Sequence, residues 1–371
     1  NLKGDDYTMP KITLASLSSD LYQQAHSKEM TLSMYLESLD PTPENCKLDA
    51  FERLMKEAGI ITKNIPEKNV FSSKVEAFYR TSENKILFPE YIARTLVQSM
   101  VQYPVFQYLV AARTMIDSNV YKAAYLDLDD ANNKKATQMK RVTEASELPV
   151  ARLKLGESAI NIYKYGRAIE ASYEALRRMT LDIFNIHLQE IGIQAADNKI
   201  AEILSVIKDG DGNKNAATQY KTSELDSTAT SKLTRESFIR FLLKFYPRNC
   251  NTIVSDEDGL IQLLEVLYPA SNSAALMDEL IAKGLNISVV LPQGLVSNVT
   301  LLYSPYVERI DNKVAFYGLN RESAIEEIVE IGSTINEADK FIKNQTEILT
   351  VSENSGFRKI LKKSSAILKV Q

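Results

Sequence analysis

The segment Leu181–Ile207 constrains the fold more than any other stretch. Apolar residues recur at helical spacing through Leu181, Phe184, Leu188, Ile191 and Ala195, then through Ile200, Ile203, Leu204 and Ile207. That spacing predicts one helix with a continuous apolar stripe. At 1.5 Å per residue it spans about 40 Å, where three to four turns are usual. Thr180 is placed to cap its start, and Gly192, near its middle, marks a soft point for bending.

Upstream lies a second unusual feature. Val105–Leu128 is rich in Val and Tyr and reads as strand, and strand character returns at Val150–Tyr165. Between them, Asp129–Glu147 is almost free of large apolar residues. Its charges run acidic (Asp127, Asp129, Asp130), basic (Lys134, Lys135, Lys140, Arg141), then acidic again (Glu144, Glu147). Two strands around a long polar tip predict a protruding hairpin, and a polar loop of that length is usually functional.

The rest reads as mixed helix and strand. Residues 1–70 read as an arm with short helices, one over Leu21–Leu36 and one over Lys47–Ala58. The second carries Leu48, Phe51, Leu54, Met55 and Ala58 on one face and is stopped by Gly59. Pro89 is placed to open a helix that buries Tyr91, Ile92, Leu96 and Met100. Residues 231–330 read as an α/β lobe. Its predicted helices are Leu233–Phe245, Asp256–Tyr268 (opened by a Ser255/Asp258 capping box) and Ser273–Lys283. Its predicted strands are Asn251–Val254, Ile287–Leu291 and Val299–Leu302. Strands return at Thr346–Ser352 and Ala366–Val370.

Composition excludes several functions. A net charge of −4 gives no basic footprint for nucleic-acid recognition. The longest apolar runs, such as Tyr103–Ala112, are too short to span a bilayer. Two His (His26, His187) and two Cys (Cys46, Cys250) are too scattered for a zinc site, and the thiols read as free. No nucleophile elbow, zinc-protease, phosphate-loop, CxxC or dinucleotide fingerprint occurs. Asp209–Asn213 opens like a calcium loop, but Lys214 and Tyr220 stand where Gly and Glu are needed, so a solvated turn is the better reading. His187 reads as a structural imidazole, and the run Arg358, Lys359, Lys362, Lys363 as a solvated basic face. Carboxylates are many, and none stands out in an apolar setting. No catalytic, cofactor-binding or metal-binding residue is assigned.

The order of features resembles the major capsid protein of tailed double-stranded DNA phages, with its HK-ninety-seven-type fold. The stretches that carry the resemblance are Glu147–Arg152 through Tyr163–Ser172 to Arg178, and Gln345–Glu353 followed by Gly356-Phe357 and Ala366–Val370. The resemblance implies an α+β fold with 1–70 as N-terminal arm and 71–118 as the first part of a peripheral domain. Residues 119–166 would be an extended loop, 167–230 the peripheral domain with its spine helix, 231–330 an axial domain, and 331–371 the peripheral return.

It implies a non-enzymatic subunit that self-assembles into hexamers and pentamers, forming an icosahedral head around the genome. The loop tip (Asp129, Asp130, Asn132, Asn133, Lys134, Lys135, Lys140, Arg141) would contact a neighbouring subunit, and the spine helix would bend at Gly192. Portal, scaffold, maturation protease and decoration protein are the implied partners. Removal of a leader by that protease would account for a chain that opens on Asn1. Cross-linking of a loop lysine to a neighbour's Asn occurs in some relatives, but no acceptor is matched here. An encapsulin-like compartment, an α/β enzyme with its site in 231–330, and a portal or tail component are the alternatives.

Overall fold

Asp49 opens a helix over Ala50–Glu57 through a capping box, its carboxylate accepting from Glu52 N while Glu52 reaches back to Asp49 N. The predicted stripe is buried there at Phe51, Leu54 and Met55, and Gly59 ends the segment at φ +68°. The computed structural model describes residues 12–28, 30–65, 67, 69–118, 120–122, 124–126, 141, 150, 153–155, 159–229, 231–246, 248–267, 288–289, 299–331, 335–341 and 345–370.

In chain order, the described helices are α1 (Asp20–Ser27), α2 (Leu32–Leu39), α3 (Ala50–Glu57), α4 (Ser82–Gln102), α5 (Pro104–Leu109), α6 (Tyr173–Arg178), α7 (Leu181–Asp209), α8 (Thr222–Leu225), α9 (Arg235–Leu243) and α10 (Glu257–Leu267). The described strands are β1 (Val110–Ile116), β2 (Ala124–Leu126), β3 (Leu153–Leu155), β4 (Tyr163–Ser172), β5 (Thr218–Lys221), β6 (Thr252–Ser255), β7 (Ser288–Val289), β8 (Val299–Tyr303), β9 (Ala315–Leu319), β10 (Ile325–Glu330), β11 (Ile335–Phe341), β12 (Thr346–Lys359) and β13 (Ser365–Lys369). The class is α+β. The chain divides into two compact units, residues 1–102, 164–195 and 330–354, and residues 103–163, 196–329 and 355–371.

In the first unit, Leu17, Leu32, Leu36, Phe51, Leu54 and Met55 pack in one core with Phe78, Leu87, Phe88, Ile92, Leu181, Phe184 and Leu188. Residues 12–60 are thus built into the unit rather than extended from it. Charge reinforces this packing. Glu90 of α4 accepts from Ser33 N at the start of α2 (3.0 Å), and Arg94 of α4 pairs with Asp49 at the cap of α3 (2.6 Å). Glu37 of α2 accepts from Ala50 N, and Arg53 pairs with Asp40 at 2.9 Å. β11 runs antiparallel to Thr346–Ser352 of β12.

The expected Leu21–Leu36 helix is two helices, because Thr31 caps a new one by accepting from Met34 N. Pro89 does not start α4 but lies inside it, since the helix begins at Ser82. Having no N–H, Pro89 cannot serve the Lys85 carbonyl, and beside this break Tyr22 Oη donates to the Ile86 carbonyl at 2.8 Å. The expected buried side, Tyr91, Ile92, Leu96 and Met100, is buried.

In the second unit a six-stranded mixed sheet runs β5-β13-β9-β6-β8-β7. Alternation divides its side chains between two cores. Tyr317, Leu319, Ile367, Val254 and Leu302 meet Ile200, Ile203, Leu204 and Ile207 of α7. Phe316, Leu368, Ile253 and Leu301 meet Phe238, Phe241 and Leu242 of α9. Gly318 of β9 is glycine because the Phe241 ring lies on it, 2.9 Å from where a Cβ would stand. Asp256, not Ser255, caps α10 by accepting from Gly259 N at 2.9 Å, while Ser255 donates to the Ala315 carbonyl. Val105–Leu128 is only partly strand, since its start forms α5. The predicted helix Ser273–Lys283 lies outside the described residues.

Candidate assembly interface

The two strands of the expected hairpin do pair. β2 runs antiparallel to β3 in the register Ala124↔Leu155, Tyr125↔Lys154, Leu126↔Leu153. Toward the root, Tyr121 bridges to Ile160, whose N–H donates to the Tyr121 carbonyl at 2.9 Å. Ile160 is buried with Ile116 of β1 and Ile328 of β10, and Tyr121 and Ile162 pack against them. Val120, Arg141 and Val150 are exposed. Of the predicted tip contacts, Asp129, Asp130, Asn132, Asn133, Lys134, Lys135 and Lys140 lie outside the described residues.

At the root stands a charge cluster that pattern reading passed over. Glu326 and Glu327 are adjacent on β10 and both buried. Successive strand side chains face opposite ways, so each has its own partners. Glu326 pairs with Arg358, its cross-strand neighbour on β12, and accepts from Thr114 Oγ1 of β1. Glu327 accepts from Lys199 Nζ of α7 at 2.8 Å and lies 3.4 Å from Arg113 Nε of β1. The Lys199 and Glu327 side chains are 3 % and 2 % exposed. Two carboxylates therefore hold β1, β12 and the second half of α7 to one strand.

Sequence signals for this cluster existed. Glu326-Glu327 is flanked by Ala324, Ile325, Ile328 and Val329, all buried, which is the apolar setting the carboxylates were expected to lack. Lys199 falls on the same helical stripe as Ala196, Ile200 and Ile203. Ala195 is exposed, and the stripe continues through Ala196 instead.

The basic run is a solvated face over only half its length. Arg358 is spent on Glu326, and Lys359 is 3 % exposed with no hydrogen-bond partner at Nζ among the described residues. Burial pushes the Lys359 ammonium down to about 7, with Asp211 acting in the opposite direction and Lys362 adding to the fall. Lys362 and Lys363 are exposed.

In the calcium-like turn, Asp211 Oδ1 accepts from Asn213 N at 3.1 Å and its Oδ2 from Lys359 N at 3.0 Å, so the carboxylate serves the turn. Among the described residues no cluster of His, Cys, Asp and Glu is arranged to hold a metal, and no helix is long and apolar enough to cross a membrane. His187 is exposed rather than a buried structural imidazole. Both cysteines are free. Cys46 is half-buried, and burial pushes the Cys250 thiol up to about 12.

Gly192 sits inside an unbroken α7 of 29 residues. A Cβ there would overlap Ser99 Oγ of α4 and come within 2.9 Å of the Leu96 carbonyl oxygen. Close approach of α4 therefore explains the glycine, whatever bending it also permits.

A sequence-family model described as phage capsid protein matches residues 156–342, half of the chain. The match begins on the return side of the hairpin and runs through α7 and most of the six-stranded sheet. The chain belongs to this family.

No curated protein matches this capsid chain. Among solved structures it is similar to the capsid of a native GTA particle, at 14 % identity and TM-score 0.47 over 71 % of this chain and 90 % of that one. It is also similar to the capsid of cyanophage P-SCSP1u, at 11 % identity and TM-score 0.44 over 71 % and 87 %. The SrpI encapsulin of Synechococcus elongatus PCC 7942 matches at 10 % identity and TM-score 0.43, over 71 % and 86 %. None of these three reaches a TM-score of 0.5, and the assignment rests on the family match.

Proposed function

We propose that the chain is a major capsid protein with an HK-ninety-seven-type fold, assembling into hexamers and pentamers of an icosahedral phage head. The family match over residues 156–342 carries this reading. Each subunit lays the hairpin 119–166 on a neighbour, and such heterologous contacts close into rings and rings into a shell. A stable contact buries about 1,600 Å². Charges at the polar tip set register and partner choice more than affinity. The head encloses double-stranded DNA by confinement, without sequence reading. Portal, scaffold, maturation protease and decoration protein are its partners, and assembly takes place in the host cytoplasm.

Negative-stain imaging of the purified chain, alone and with scaffold, tests this reading. Closed shells tens of nanometres across are expected. Shells that hold a protein cargo and no DNA would turn the reading to an encapsulin-like compartment. A subunit that stays discrete at high concentration and with scaffold would overturn it. Charge reversal of Lys134 and Lys135 should misdirect assembly while leaving the melting of the subunit unchanged; normal shells would remove those residues from the contact.

A further inference from the structure

The hairpin root is gripped at three points, all from the sheet strands beneath it. The first is apolar, where Ile160 is buried with Ile116 and Ile328, and Tyr121 and Ile162 lie against them. The second is a backbone contact. Gly356 of β12 has no side chain to hold off the returning hairpin strand, and a Cβ there would overlap the Asn161 carbonyl oxygen and stand 3.4 Å from Ile162 Cα. Gly356 is not among the positive-φ glycines, so space and not backbone freedom explains it. The third is charged. The Arg358 guanidinium lies 5.9 Å from the centre of the Tyr121 ring while its Nε pairs with Glu326. The ion pair holds the guanidinium in place, and the cation is then available to the ring face.

These contacts share a simple geometry. Arg358 and Gly356 are two apart on β12, on the same face of the strand, and β10 fixes both by register, Glu326↔Arg358 and Ile328↔Gly356. One hairpin strand is met through Tyr121 and the other through Asn161. A hairpin held on both strands cannot rock about its root unless one grip yields.

We infer that Gly356 and Arg358 are positioning residues that fix the direction in which the hairpin leaves the subunit. The part of this that concerns assembly rests on the capsid reading; the grip itself does not. Each acts through Tyr121 or Asn161 rather than on a neighbouring subunit. Their consequence for the shell is geometric, because a small angular change at the root is multiplied along the arm.

Amide hydrogen exchange on the unassembled subunit tests the grip, and imaging of assembled particles tests its consequence. Tyr121→Leu removes the ring and keeps Gly356, Arg358 and Glu326, whereas Tyr121→Phe keeps the ring. Tyr121→Leu and Arg358→Leu should each raise exchange at the Ile160 amide by about tenfold, the factor that matches a partly desolvated cation–ring contact. In Tyr121→Leu exchange at Phe316–Leu319 of β9 should not move, whereas Arg358→Leu also leaves Glu326 without its ion-pair partner and lowers stability more widely; Tyr121→Phe should behave as the parent chain. Gly356→Ala should raise root exchange further, because a backbone contact has to open. Particles formed by Tyr121→Leu should show altered size or closure.

Unchanged root exchange in Tyr121→Leu and Arg358→Leu overturns the grip. Exchange rising equally at β9 in Tyr121→Leu would make the role one of general stability, and overturns it too. A loosened root with normal particles refutes the link to assembly while leaving the capsid reading intact. A parent chain that forms no shells under any condition refutes the capsid reading, and the exchange result still stands.

Discussion

Replacing Lys359 by methionine should stabilise the protein at neutral pH, and the gain should vanish in alkali. The ammonium is buried without a hydrogen-bond partner among the described residues, and burial lowers it from 10.5 to about 7. The folded state thus binds this proton less tightly than the unfolded chain. Between about pH 7 and pH 10.5 the unfolded state carries more protons at this site, so its contribution to stability rises with pH by up to about 1.4 kcal/mol per unit. Below about pH 7 the whole penalty is present; above 10.5 none is. A shift of this size corresponds to about 4 kcal/mol at pH 7. Methionine keeps the aliphatic stem in place without the charge, and the Lys359 N to Asp211 bond is backbone and survives.

The assay is urea unfolding followed by circular dichroism at several pH values, with parent and variant compared at each so that other titrations cancel. With a urea slope of about 2–3 kcal/mol per molar, the midpoint should rise by about 1.5 M at pH 7 and converge on the parent near pH 10.5. A gain independent of pH would mean packing and not charge is responsible. A loss at pH 7 would refute the reasoning outright.

Gly192→Ala should destabilise by about 1–3 kcal/mol through overpacking against Leu96 and Ser99. Adding Ser99→Ala should recover only part, since the Leu96 carbonyl stays; calorimetry of the pair decides, and a neutral single variant would refute the close-packing account. Among the described residues, Lys199→Ala leaves Glu327 with only Arg113, at 3.4 Å and partly exposed, and should cost about 3–5 kcal/mol. The double change Lys199→Met with Glu327→Leu should cost much less, which denaturant unfolding of the three variants would show. Asp49→Ala removes both a capping box and the Arg94 partner, and should cost about 1–2 kcal/mol by the same measurement.

What was legible in the sequence was what local pattern dictates. The long helix was readable because its stripe repeats over eight turns, and α3 because stripe, capping box and terminal glycine agree. The pairing of β2 with β3 followed from strand character on both sides of a polar stretch. The break in Leu21–Leu36 did carry a local signal, the Thr31 cap, which Glu90, far along the chain, reinforces at Ser33 N. Other misreadings arose where a distant residue decided the local outcome. Pro89 looks like a helix start unless the packing that carries α4 back to Ser82 is known. The buried charges on β10 were missed for a related reason. A glutamate doublet in an apolar strand reveals its role only when Lys199, Arg113 and Arg358 are seen to converge on it, and these come from separate segments.

The unequal burial of the two thiols has a use at the bench. Thiolate is the species that attacks a maleimide, and Cys250 is fully buried with its thiol held up near 12. Cys46 is half-buried, in the loop before α3, and the chain has no third cysteine. The native sequence therefore offers one reactive handle. A fluorophore attached there without mutagenesis, in a protein lacking tryptophan background, would report on subunit encounter by energy transfer between donor-labelled and acceptor-labelled chains.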